Sequence, residues 1–173
     1  FGNRLLLSAN YYNSRTTDML YLYNVSVPPF TYNTLLANIG SMRNWGTEIA
    51  IGITPLKTKD MELNINANIT FQRNKLLSLS GMYNGEMLSA PEYKSLASLD
   101  GAGFHGGYNH IVYQMVGQPL GVFYLPHSTG LESDGNGGYT YGIADLNGGG
   151  VSLEDGEDRY VAGQAVPKTI LGS

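Results

Sequence analysis

The chain has 173 residues, 42 % hydrophobic and only 14 % charged, with a formal net charge of −4. That balance argues against a nucleic-acid binder, which would carry a basic patch, and the lack of cysteine excludes a disulfide scaffold, a Cys-zinc site and a thiol nucleophile. No apolar run approaches the roughly 20 residues of a membrane-spanning helix, and a chain opening at Phe1 without a signal peptide reads as a piece of something longer.

In chain order, the first patterned segment is Arg4–Asn13. Leu5, Leu7, Ala9 and Tyr11 alternate with Leu6, Ser8, Asn10 and Tyr12. This predicts a strand over about 4–13, with Leu6 blurring the pattern. Residues 14–42 are expected to form a long loop. In 45–54, Ile49, Ile51 and Ile53 alternate with Glu48, Ala50, Gly52 and Thr54, a second strand. Pro55–Asp60 is a short polar connection, so this strand and the next should form a hairpin. The third strand, 61–73, is the clearest. Met61, Leu63, Ile65, Ala67, Ile69 and Phe71 make one face, and Glu62, Asn64, Asn66, Asn68, Thr70 and Gln72 the other. Residues 76–166 differ in kind. They hold 18 of the 23 glycines and ten acidic residues against Lys94 and Arg159. They are expected to form a second long loop.

Such alternation fits two solvents. In a soluble sandwich the apolar face is the core; in an outer-membrane barrel it meets lipid while the polar face lines the lumen. Three details favour the barrel. The polar face of the third strand is mostly uncharged amides. Each apolar face carries an aromatic near one end, Tyr11, Trp45 and Phe71, which would lie at one level as an interfacial girdle. Connections alternate short and long, as barrel turns do. The fold class is therefore all-β: antiparallel strands of a large transmembrane β-barrel with long extracellular loops. Three strands cannot close a barrel, since the smallest need about eight, so the barrel is incomplete.

Several segments resemble one family. Ala37-Asn38-Ile39-Gly40-Ser41-Met42-Arg43-Asn44-Trp45-Gly46-Thr47-Glu48 resembles the N-I-G-x-M-x-N-x-G-x-E segment of SusC/RagA-like TonB-dependent outer-membrane transporters. Asn68–Leu76 resembles the family's following N-x-S-x-N-K-V-x-x-L. Val116–Tyr124 resembles V-G-x-P-x-G-x-F-Y-G, Asp145–Val151 resembles D-x-N-G-D-G-x-I, and Gly163–Gly172 resembles the G-x-x-x-P-K-x-x-x-G that leads into the next strand. The five stand in the family's order over residues 36–173. The resemblance implies a parent barrel of about 22 strands with an N-terminal plug that this chain lacks. It implies import of glycans or oligopeptides across the bacterial outer membrane, with a SusD-like surface lipoprotein as lid and TonB as the energy source. The alternative is a soluble all-β carbohydrate- or calcium-binding module, which predicts that Ile49, Ile51, Leu63 and Ile65 are buried against protein.

Neither reading is an enzyme. No G-x-S-x-G occurs. Gly101-Ala102-Gly103 and Gly148-Gly149-Gly150 lack the Lys-Ser/Thr of a phosphate loop. His105 and His110 are five apart, not the four of a helical zinc pair. No cofactor is required, but Asp145, Asn147 and Gly150 partly match a calcium loop. Gly149 replaces a ligand there, and Asp155 and Asp158 lie close enough to substitute. Asp145, Asn147, Asp155 and Asp158 are thus the candidate metal residues. The loop aromatics Tyr21, Tyr23, Phe30, Tyr32, Tyr83, Tyr93, Phe104, Tyr108, Tyr113, Phe123 and Tyr124 could stack on sugars, anchor a protein partner or pack together. The Asn64, Asn66, Asn68, Thr70 row should face the lumen.

Overall fold

A computed structural model describes residues 4–91, 93–98, 110–154 and 156–172, and every regular element among them is a β-strand. Contacts divide the chain into two compact units, residues 1–90 with 167–173 and residues 91–166.

The first unit is built on an antiparallel sheet in the order β1 (Leu5–Asn24), β2 (Thr34–Lys57), β3 (Glu62–Ser78), β12 (Thr169–Gly172). Its register explains the alternation. Leu5 pairs with Ile53 and Ile53 with Ile65; Leu7 with Ile51 and Ile51 with Ala67; Ala9 with Ile49 and Ile49 with Ile69. Each apolar residue therefore has apolar neighbours across the sheet. Side chains alternate faces along a strand, so the intervening Ser8, Ala50 and Asn68 share the opposite face. Tyr11 and Phe71 both pair with Thr47, and Trp45 lies two residues further, between Asn13 and Arg73. The aromatics thus fall within about 7 Å of one level along the strands.

Among the described residues no second layer covers this part of the sheet. None of the residues 5–11, 47–57 or 62–71 is buried. Ile49, Ile51, Leu63 and Ile65 are 37 %, 41 %, 48 % and 45 % exposed, so the burial that a soluble module would require is not found. The apolar rows from Leu63 to Phe71 extend about 26 Å along the strand, matching the roughly 25 Å apolar band of an outer-membrane barrel.

The strands outrun their predicted ends. β1 continues to Asn24 and β2 begins at Thr34, so residues 14–42 are not a loop; the connection is 25–33. A bulge between Thr16 and Met19, with Asp18 at φ 58°, shifts the register. Beyond it, Met19-Leu20-Tyr21-Leu22-Tyr23 carries apolar residues on both faces. Period-two polarity vanishes while backbone pairing goes on. This end of the sheet does have a core: Tyr23, Ala37 and Leu88 pack together with Phe30, Leu35 and Ile39, and Leu76 and Leu79 are also buried. Leu88 comes from a small hairpin, β4 (Ser80–Tyr83) and β5 (Glu86–Ser89), turned at Asn84-Gly85. Both turn residues have positive φ, 50° and 88°, as a two-residue hairpin turn requires.

Residues 76–166 are likewise not an unstructured excursion. In the second unit, β6 (Tyr93–Ser98), β7 (His110–Met115), β8 (Val122–Pro126) and β11 (Arg159–Gln164) form a sheet in the order β11-β8-β7-β6. β9 (Ser128–Ser133) and β10 (Tyr139–Ile143) form a separate hairpin. These strands are five or six residues long, too short for alternation to stand out among the glycines.

Candidate functional site

The polar face of the first unit is lined as a lumen would be. Ser8, Asn10, Glu48, Ala50, Asn68 and Thr70 surround a shallow depression. Glu48, paired with Asn10 and Thr70, sets a carboxylate among amides and hydroxyls. Asn64 of the same row accepts a hydrogen bond from Thr54 Oγ1 at 2.7 Å. Tyr12 lies over Gly46, where a Cβ would sit 2.6 Å from the tyrosine oxygen and 2.4 Å from the Phe71 carbonyl. Only glycine admits that close approach of ring and neighbouring strand.

In the second unit the structure brings Asp145, Asn147 and Asp158 into one loop; Asp155 lies outside the described residues. Asp145 accepts the N–H groups of Gly148 and Gly150, and Asn147 Oδ1 accepts that of Gly149 at 2.8 Å. Asp158 is fully buried. Its carboxylate accepts the Leu146 N–H at 2.6 Å and the Ser152 N–H at 2.8 Å, which ties the loop's start and middle to β11. Among the described residues no three His, Asp or Glu converge as a metal site.

The Ser152 N–H, then that of Leu146, holds the Asp158 carboxyl below its usual range. A depressed folded pKa gives stability that is full above the unfolded value and is lost as pH falls through the folded one. Amide exchange at Leu146 and Ser152, taken relative to its intrinsic rate, is therefore expected in the parent protein to stay slow at about pH 5 and to quicken only below the ordinary carboxylate range. Asp158→Asn should quicken it already at pH 5. Equal exchange in the two proteins would show that the carboxylate does not hold the loop.

Arg159, next in sequence, was not singled out by motif. It is 5 % exposed. Its Nε donates to the Leu153 carbonyl at 3.0 Å, and its Nη1 donates to the His110 carbonyl at 3.2 Å and the Tyr113 hydroxyl at 2.9 Å. Its guanidinium carbon lies 5.5 Å from the Tyr113 ring centroid. The signal was present: a lone arginine within a strongly acidic stretch is a cation placed for a purpose.

The loop aromatics divide. Tyr23, Tyr113 and Tyr124 are core. Tyr93 stacks on Tyr124 with centroids 5.5 Å apart, and Tyr113 meets Tyr124 edge-on at 5.4 Å. Phe104, Tyr108 and His105 lie outside the described residues, as does Gly101-Ala102-Gly103. His110 Nδ1 is within hydrogen-bond distance of the Ser95 and Ser98 hydroxyls, at 2.9 and 2.8 Å. Tyr32 stays accessible, 75 % exposed, and further accessible aromatics lie outside that set. On the β9–β10 hairpin Tyr141 pairs with Leu131, and Tyr139 follows on the same face; all three are at least 65 % exposed. Sequence reading missed Tyr139 and Tyr141, although Tyr139-Thr140-Tyr141 after Gly137-Gly138 is a short alternating strand behind a turn.

Comparison with known proteins agrees with this geometry. The family model for the TonB dependent receptor-like β-barrel matches residues 1–161. A TonB-dependent receptor of Formosa agariphila is 30 % identical over 139 residues, covering 78 % of this chain and 12 % of that protein. TonB-dependent receptor SusC of Bacteroides thetaiotaomicron is 33 % identical over 70 residues, covering 40 % of this chain and 7 % of that protein. A structure of the RagAB peptide transporter superposes with a TM-score of 0.62 at 20 % identity, over 99 % of this chain and 17 % of that one. The RagAB peptide importer in its closed-closed state gives 0.60 at 17 % identity, over 98 % and 17 %. At those identities the structures show a shared fold. The chain spans 7 to 17 % of the length of its curated relatives.

Proposed function

Because this chain belongs to the TonB-dependent receptor-like β-barrel family, in its SusC/RagA-like branch, we propose that it supplies strands and outer loops to an outer-membrane transporter. The parent imports glycans or oligopeptides together with a SusD-like lipoprotein, drawing on TonB through parts outside this chain. The carrying observation is the two-faced sheet. Exposed apolar rows stand on one side and exposed amides and hydroxyls on the other, with neither buried among the described residues. In water such a face would be an aggregation site; in lipid it is the wall of a pore.

The orientation follows from the connections. The Thr58–Met61 turn is the short connection, which the barrel rule puts on the periplasmic side, and the chain leaves the first unit at residue 90 and re-enters it at 167, a long connection of the kind that faces outward. The second unit therefore belongs to an outer loop. Its exposed Leu131, Tyr139 and Tyr141 offer aromatic faces for a sugar ring or a protein surface. Substrate passes by binding and gated release, with no bond made or broken.

The full-length parent is expected in the outer-membrane fraction, extracted only with detergent, with a lipoprotein co-purifying. Tyr139→Ser with Tyr141→Ser should lower substrate uptake or lipoprotein recovery roughly tenfold without reducing the amount of folded barrel. A water-soluble monomer of 18.7 kDa from the native source would overturn the reading.

A further inference from the structure

The outward face of the sheet changes character just past the aromatic level. Arg15 pairs with Arg43, and Arg43 with Lys75, in one row across three adjacent strands. One outward position nearer the apolar band, Trp45 pairs with Arg73. All four cations have the parity of Tyr11 and Phe71 and so share their face. The bulges at Thr16/Met19 and Ser41/Met42 come only after these rows. Strands lie about 4.8 Å apart, so four positive side chains occupy one small patch. All four are exposed.

Like charges directly opposite one another destabilise a sheet, so this row is a cost to the isolated chain. Among the described residues none of the four is ion-paired. The ion pair that does form, Lys57 Nζ to Glu62 Oε2 at 2.9 Å, sits at the other end of the sheet beside the short turn. The charges there are of both signs: Lys57, Lys59, Asp60 and Glu62. The asymmetry separates the two edges of the apolar band. Arg43 is also held in place: its Nε donates to Asn13 Oδ1 at 2.9 Å and its guanidinium carbon lies 5.4 Å from the Trp45 ring centroid. Such stacking fixes the guanidinium plane and leaves its other N–H donors for a partner.

We propose that Arg15, Arg43, Arg73 and Lys75 form a binding patch for the phosphate groups of an anionic glycolipid in the outer leaflet. This rests on the barrel reading, which puts the patch on the lipid side at headgroup depth. Arginine forks match phosphate oxygens bidentately, and lysine adds a point charge. A phosphorylated headgroup would lie across β1, β2 and β3, neutralise the repulsion along the row and stitch the three strands together. A zwitterionic headgroup would bring its own cation into the patch and bind less well.

The test uses the full-length parent protein in detergent, with native mass spectrometry after addition of a bis-phosphorylated lipid A or its dephosphorylated form. Wild type is expected to retain the phosphorylated lipid roughly tenfold more than the dephosphorylated one. Arg15→Gln, Arg43→Gln, Arg73→Gln and Lys75→Gln together should abolish that preference, while Lys57→Gln with Lys59→Gln should keep it. Equal retention of the two lipids by wild type overturns the proposal and needs no variant to fold. So does a preference that survives the fourfold change, or one lost equally with Lys57 and Lys59. A protein that needs detergent yet shows no phosphate preference refutes only the patch. One that is soluble without detergent and binds neither lipid refutes the barrel reading itself.

Discussion

Ile51→Arg in the full-length protein is expected to cost about 2–4 kcal/mol of stability in the membrane and to reduce outer-membrane assembly sharply. Ala50→Arg, one residue away, should cost much less. The register sets this contrast. Ile51 sits between Leu7 and Ala67 in the third of the five apolar rows that run from Leu63 to Phe71, the middle of the band. A guanidinium there meets hydrocarbon at its deepest, with no row of headgroups within reach. Ala50 sits between Ser8 and Asn68, beside Glu48, on the polar face. An arginine there meets water and a carboxylate. The measurement is the yield of folded barrel in the outer-membrane fraction, with denaturant unfolding in lipid for both variants. Equal costs would mean that the faces are not divided between lipid and lumen. A larger cost at Ala50 would reverse the assignment.

The parts of the fold legible in the sequence were those where one solvent faced each side of a strand. From Leu5 to Tyr11, Thr47 to Lys57 and Glu62 to Phe71, apolar residues and amides alternate where none of the residues is buried. Pattern and environment are then the same information. Legibility stops where protein covers the strands. Past the Asp18 bulge, Leu20 and Leu22 alternate with Tyr21 and Tyr23, all apolar, so the extension of β1 and β2 left no period-two mark. In the second unit the short strands carry too few residues to show a period, and their cohesion comes from long-range bonds. Arg159 reaches His110 and Tyr113 across more than forty residues of sequence, and spacing rules cannot see such a contact. The Asp145–Asp158 loop was found by its oxygen-rich spacing. The same carboxylates that suggested a cation are those that accept the loop's own N–H groups, because glycine-rich turns expose amides in clusters. Aromatic count alone could not sort core from surface: Tyr113 and Tyr141 look alike in sequence, and only the fold buries one and exposes the other.

Arg159→Met is expected to cost the second unit about 1–3 kcal/mol, the penalty of leaving buried acceptors without their charged donor. The side chain is nearly fully buried and donates to the Leu153 and His110 carbonyls and the Tyr113 hydroxyl. Methionine has similar length and fills much of the space, so the loss isolates the donors and the guanidinium over the Tyr113 ring. Tyr113 in turn packs on Val122 and Tyr124, so the defect enters the core of the sheet β11-β8-β7-β6. The first unit shares none of these contacts, and its strands should pair as before. In the full-length protein the expected result is a normal yield of folded barrel together with faster protease cleavage within residues 110–164. Arg159→Lys keeps the charge but cannot span three acceptors, so it should fall between wild type and Arg159→Met. If the second unit anchors a lipoprotein lid, recovery of that partner should fall in the same order, while lipid retention at Arg15, Arg43, Arg73 and Lys75 stays unchanged. Unchanged cleavage in Arg159→Met would mean that the Tyr113–Val122–Tyr124 cluster holds the unit without its buried arginine.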